Sequence, residues 1–121
     1  MPQIATMLAE QQPAPAAAID RAQLARMTLG NHDLEREVLA LFDRQAGLLL
    51  ARMYHGEPAV IASLAHTLKG SASSVGATRV VAAAAAVENA GESAERKAAL
   101  DRLAATIEEA CAAIAGLLRA F

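Results

Sequence analysis

Residues 63 to 76 read SLAHTLKGSASSVG, and three of them are of types that could do chemistry together. His66, Lys69 and Gly70 fall at i, i+3 and i+4, the spacing that sets side chains next to one another on a helix surface. Imidazoles titrate in the neutral range, so a ring nitrogen free to act as a nucleophile is available near pH 7. Such a nitrogen can accept a phosphoryl group, and an ammonium beside it can balance the charge on the phosphoryl oxygens. A carboxylate on the other ring nitrogen would fix the tautomer and support nucleophilicity. Glu88 is the candidate, because a hairpin turning at Gly76 has ten residues from His66 to the turn and twelve back to Glu88.

The position of His66 follows from helical period. Ile61, Leu64, Leu68, Ala72 and Val75 form an apolar stripe, and at ~100° per residue His66 points roughly away from it, toward solvent. Ala59 and Ala62 precede it on the same face, and Gly70 and Ser73 follow. The histidine and the lysine therefore project from a surface of small residues, open to a partner. Gly70 in a helix interior costs ~1 kcal/mol relative to alanine. On an exposed face core packing does not explain that cost, whereas close approach by a partner does.

The elements that must position these groups are all helical. Hydrophobic residues make up 55% of the 121 but aromatics only 2%, so the core is built largely from alanine and aliphatic side chains, and no alternating β-branched run marks a strand. Residues 1–18, with EQQPAPAAA, read as a mobile arm, and 19–121 as one helical domain. A short helix is expected around AIDRAQLARM. Asn31 is placed to cap the next, with Asp33 and Glu35 in its first turn and an expected inward stripe of Leu34, Val38, Leu41, Leu48, Leu49 and Met53, broken at Gln45. Pro58 suits the first turn of the third long segment, and Gly76 its termination. A fourth runs from about Thr78 to Ala90 with Val80, Ala84 and Val87 inward. The last, with Ser93 as expected cap, carries Leu100, Leu103, Ile107, Cys111, Ile114, Leu117 and Leu118. Short connections favour antiparallel neighbours, so the expected fold is an all-α, antiparallel up-down four-helix bundle with a short additional N-terminal helix.

HTLKG, followed by SASSVG and then VENA, resembles the core pattern of the histidine-containing phosphotransfer (HPt) domains of two-component phosphorelays. That pattern is His-x-x-Lys-Gly, a second Gly six residues on, and a Glu or Gln on the next helix; here it falls on His66, Lys69, Gly70, Gly76 and Glu88. Over the rest of 19–121 the likeness is one of helix layout. The resemblance implies a bundle whose exposed His66 takes a phosphoryl group from a receiver-domain aspartate and passes it to another receiver. It implies Lys69 as charge partner, Glu88 as orienting group, and Gly70 as clearance for the receiver. Ala59, Ala62, Lys69, Gly70 and Ser73 would be contacts, and Gly76 a structural turn. It also implies no cofactor on this chain, Mg²⁺ supplied by the receiver, and a sensor or hybrid histidine kinase upstream. One departure is the alanine-rich VVAAAAAVENA, where many relatives carry larger residues; whether Glu88 reaches His66 depends on how closely that helix packs.

Composition narrows the other classes. A net charge of −2 without a basic stripe argues against nucleic acid, and no apolar run approaches the ~18 residues of a membrane span. The start has no signal-peptide pattern, and a single cysteine fits a cytoplasmic setting. His32 and His55 read as surface residues near helix ends, and no HExxH or cysteine pairing suggests a metal site. A kinase would need a nucleotide loop, and none of the Gly-rich types is present. Two alternatives stand beside the carrier: an unphosphorylated helical adaptor, and a phosphoacceptor domain related to chemotaxis kinases. The adaptor has no need of His66, Lys69 and Gly70 together. The kinase-related domain would normally be followed by dimerisation and ATP-binding domains, so a free-standing shuttle is the expectation, with a monomer as its simplest assembly.

Overall fold

In a computed structural model, which describes residues 17–120, every regular element is a helix. These are α1 (Arg21–Thr28), α2 (His32–Tyr54), α3 (Pro58–Ser74), α4 (Thr78–Asn89) and α5 (Ser93–Ala120). The arm expected over residues 1–18 lies outside the described residues, apart from Ala17 and Ala18.

Local chemistry sets the helix starts. The Asp20 carboxylate accepts from the N–H groups of Ala22 and Gln23 at 3.0 and 3.2 Å, which caps α1. Asn31 caps α2 as expected, its side-chain oxygen accepting from Leu34 N–H at 3.0 Å. Pro58 occupies the first turn of α3, where its missing N–H costs nothing. Ser93, expected as a cap, is instead the first residue of α5. The carbonyl of Glu92 accepts from Arg96 N–H at 2.8 Å and so begins that helix one residue earlier.

Residues 55–57, 75–77 and 90–92 connect the four long helices, connections too short for anything but antiparallel neighbours. α2 packs on α3 and α5, and α4 packs on the same two, which closes a ring around one core; α1 lies against α2 and α3. This is the expected bundle with its short N-terminal helix. The expected stripe of α3 is buried throughout, as are Val80, Ala84 and Val87 on α4 and Leu100, Leu103, Ile107 and Ile114 on α5.

The register of α2 differs from expectation. Leu34, Leu41 and Leu48 are 39, 45 and 68% exposed. The core face is instead Leu39, Phe42, Ala46 and Met53, with Val38, Leu49 and Leu50 half-buried at its edge. The heptad-spaced leucines belong to a second, outward seam. Phe42 and the small Ala46 both turn inward, so the helix fills the core with one ring while approaching closely at the alanine.

The α3–α4 corner is held by backbone hydrogen bonds on both sides of Gly76. Gly76 N–H donates to Ser73 C=O at 3.2 Å and Ala77 N–H to Ala72 C=O at 2.9 Å, the paired bonds of a Schellman motif with Gly76 left-handed at φ 74°. Ala72 and Ala77 are both fully buried beneath it. The Gly76 carbonyl also accepts from Asp20 N–H at 2.7 Å, fastening the lead-in to α1. A Cβ on Gly76 would collide with the Asp20 carbonyl. Gly76→Ala therefore combines the left-handed penalty of ~1–2 kcal/mol with a backbone clash. Chemical denaturation should show a loss of at least about 2 kcal/mol, with the midpoint lowered.

Candidate functional site

His66 stands in the middle of α3 with its side chain 70% exposed. The α3 stripe faces the core, so a residue two positions from both Leu64 and Leu68 must face outward. Its Nδ1 lies 2.6 Å from Glu88 Oε2 on α4. Lys69, one turn along α3, donates from Nζ to the other carboxylate oxygen, Oε1, at 2.8 Å. Glu88 thus bridges the imidazole and the ammonium.

This geometry depends on the spacing of two helices. α3 and α4 share the most extensive helix contact in the bundle, and Ala65, Ala72, Ala83 and Ala84 on the two helices are all buried. Small residues on both sides let helix axes come close. The alanine-rich stretch of α4 therefore brings Glu88 within reach of α3. The turn at Gly76 fixes the register that puts residue 88 opposite residue 66.

Electrostatics then fix the protonation pattern. The hydrogen bond from Lys69, aided by that of His66, holds the Glu88 carboxyl below its ordinary value, against a smaller opposing effect of desolvation. A carboxylate can only accept hydrogen bonds. At 2.6 Å the shared proton accordingly sits on His66 Nδ1, and Nε2, which has no hydrogen-bond partner among the described residues, is directed outward. When His66 is neutral, Nε2 then carries the free lone pair.

The remaining residues singled out by sequence lie along one strip of α3. Ala59, Gly70 and Ser73 are exposed, and Ala62 and Lys69 half-buried. A Cβ at Gly70 would meet nothing within 4 Å. The bundle therefore has no need of glycine there, and the absent side chain leaves open space beside His66. Gly76 is buried in the corner between α3 and α4. His55 and His32 sit exposed at the ends of α2. Among the described residues no group of three or more His, Cys, Asp or Glu side chains could hold a metal ion. Burial, with the Asp43 carboxylate hydrogen-bonded to it, pushes the Cys111 thiol up to about 12, so it is not a nucleophile near neutral pH.

Two features were not legible from spacing. One is the direct Lys69–Glu88 ion pair, between residues nineteen apart, which needs the hairpin register. The other is the outward α2 seam, which borders α3 near Thr67 and Ser71.

A family model for the Hpt domain matches residues 34–116. The chain belongs to the Hpt domain family. The match spans α3 and α4 whole, with nearly all of α2 and most of α5, and so includes the His66, Lys69 and Glu88 cluster. Hpt domains are phosphocarriers that interact with receiver domains in phosphorelays. Comparison with curated proteins and with solved structures gave no match. Among the described residues of this Hpt domain, no helix is long and apolar enough to cross a membrane.

Proposed function

We propose that this Hpt domain accepts a phosphoryl group on Nε2 of His66 from a receiver-domain aspartate and relays it to a second receiver. The observation that carries this reading is the Glu88 carboxylate on Nδ1, which leaves Nε2 as the exposed nucleophile. In the step, the Nε2 lone pair forms an N–P bond as the P–O bond of the aspartyl phosphate breaks, and the aspartate carboxylate leaves. The ring gains positive character, and the Nδ1 proton remains hydrogen-bonded to Glu88, which stabilises that charge. Lys69 has three donors and, held beside His66 by Glu88, can reach a phosphoryl oxygen without abandoning the carboxylate. The reverse sequence hands the group to the next aspartate. Mg²⁺ belongs to the receiver in this scheme, and the sensor or hybrid kinase acts upstream through its receiver.

The receiver contacts would be Ala59, Ala62, Lys69, Gly70 and Ser73. Relay is tested by charging the protein from one phosphorylated receiver with Mg²⁺, removing that receiver, and adding a second. The label should leave the Hpt domain and appear on the second receiver. Label that never enters the Hpt domain would favour the adaptor.

The role of Glu88 as a positioning residue has its own readout. Glu88→Ala should slow phosphotransfer about tenfold or more, the scale of a lost orienting partner, with the helical signal unchanged. At alkaline pH, ¹⁵N shifts of neutral His66 should report the Nδ1–H tautomer in the parent and a shift toward Nε2–H in the variant. An unchanged tautomer would remove Glu88 from the mechanism. The pH dependence has a defined sign. Because the folded-state value is depressed, the ion pair adds stability above the ordinary carboxylate range and loses it as pH falls through the lowered value. A carboxyl titration of Glu88 should therefore have its midpoint below that of a solvated glutamate.

A further inference from the structure

The outer face of α5 takes no part in the chemistry at His66. α5 packs on α2 and α4 but not on α3, so this face lies across the bundle from the phosphoacceptor. Ala98, Ala105 and Ala112 are exposed along it and Gly116 is half-buried, with Arg102 and Glu109 beside them, about two turns apart. A groove of about 370 Å³ runs between this helix and α4, floored by Ala82, Ala83 and Ala86 and flanked by Arg79, Arg102 and Glu109. Glu109 accepts from Arg79 at 3.0 Å through Oε2 and keeps half of its side chain exposed. Arg102 is exposed and has no hydrogen bond or ion pair among the described residues.

We infer that this α4–α5 face binds a second copy of the chain, in a two-fold symmetric dimer whose α5 helices run antiparallel. Charge complementarity selects this occupant. A two-fold axis crossing α5 between Ala105 and Thr106 sets Arg102 of one copy opposite Glu109 of the other, and symmetry repeats the pair. Each Glu109 then bridges its own Arg79 and the incoming Arg102. The same axis sets Arg119 opposite Glu92, again base on acid, and Ala98 opposite Ala113. Small residues along the seam let the two helices come close. Asp101, hydrogen-bonded to Tyr54 on α2 at 3.2 Å, and Glu108 lie on the opposite edge of α5, away from the groove. From Ala98 to Gly116 the face is about 27 Å long and, with two helices side by side, about 18 Å wide. Two copies would bury on the order of 1,000 Å², the lower end for a specific interface, so exchange with monomer is expected at concentrations on the order of micromolar. A closed core makes a monomer sufficient for folding; the charges outside it are what select a second copy. His66 faces away from the axis in both copies, so dimerisation neither uses nor blocks it.

The test uses the full chain alone, with no receiver and no phosphoryl donor, so its outcome does not depend on the phosphocarrier reading. Sedimentation equilibrium from about 1 to 500 μM, at low ionic strength where exposed ion pairs are least screened, should show a monomer–dimer equilibrium. Arg102→Glu and Glu109→Arg should each weaken the dimer about tenfold or more, because each sets like charges face to face twice, with the helical signal unchanged. An equimolar mixture of the two variants should restore the dimer, since every facing pair in the mixed dimer is again one acid against one base. A chain that stays monomeric throughout would overturn the inference. So would a dimer indifferent to both substitutions, or a mixture no more associated than either variant alone. A dimer lost only in Leu41→Asp with Leu48→Asp would equally overturn it and assign association to the outward seam of α2.

Discussion

His66→Gln will take up no phosphoryl group from any receiver, while its thermal unfolding stays within a degree or two of the parent. Glutamine is similar in size and polar, but its amide has no nucleophilic lone pair with which to form an N–P bond. The side chain it replaces is 70% exposed, and substitutions at such sites usually change stability by no more than ~0.5 kcal/mol. The partner left behind is not stranded, because Glu88 keeps its 2.8 Å bond to Lys69. Loss of function is therefore separable from loss of fold. An adaptor that works without phosphorylation would be indifferent to this change. The comparison is made by following label transfer and circular dichroism on the same preparations.

The second large effect is steric. Gly70→Gln should slow phosphotransfer by about 100-fold or more and leave the bundle at least as stable. A Cβ at this position meets nothing within 4 Å, so the fold accommodates a side chain, and removing glycine from a helix interior adds up to ~1 kcal/mol of stability. The cost falls on the encounter. In-line transfer needs the phosphorus within about 3–3.5 Å of Nε2, and displacement by an ångström is worth about two orders of magnitude. A glutamine one turn from His66 occupies the space a receiver must enter. Gly70→Ala should show a smaller loss, so the series reads side-chain size directly. Parent-like rates in Gly70→Gln would mean that the receiver approaches from another side of α3.

Much of this was legible in the sequence because α3, α4 and α5 each carry a single apolar arc. With Leu64 and Leu68 fixed inward, His66 could only face out, and Gly76 could only end α3. α2 carries two arcs, Leu34/Leu41/Leu48 and Leu39/Phe42/Ala46/Met53. Period alone does not choose between two helical stripes; the choice is made by what the partner helices can fill. The ion pair of Lys69 with Glu88 was hidden for a related reason. It depends on how closely α3 and α4 approach, which buried alanines set and which no motif spells out. The residue type of Ser93 favours a cap, but the preceding carbonyl of Glu92 already begins the ladder.

The most direct measurement is the site of the phosphoryl group. The purified protein would be incubated with a phosphorylated receiver and Mg²⁺, kept at neutral to alkaline pH, and read by intact mass and fragment mapping. The account predicts one acid-labile phosphoryl group on the fragment containing His66, absent from His66→Gln. A phosphoryl group found on His32 or His55, or persisting in His66→Gln, would contradict it.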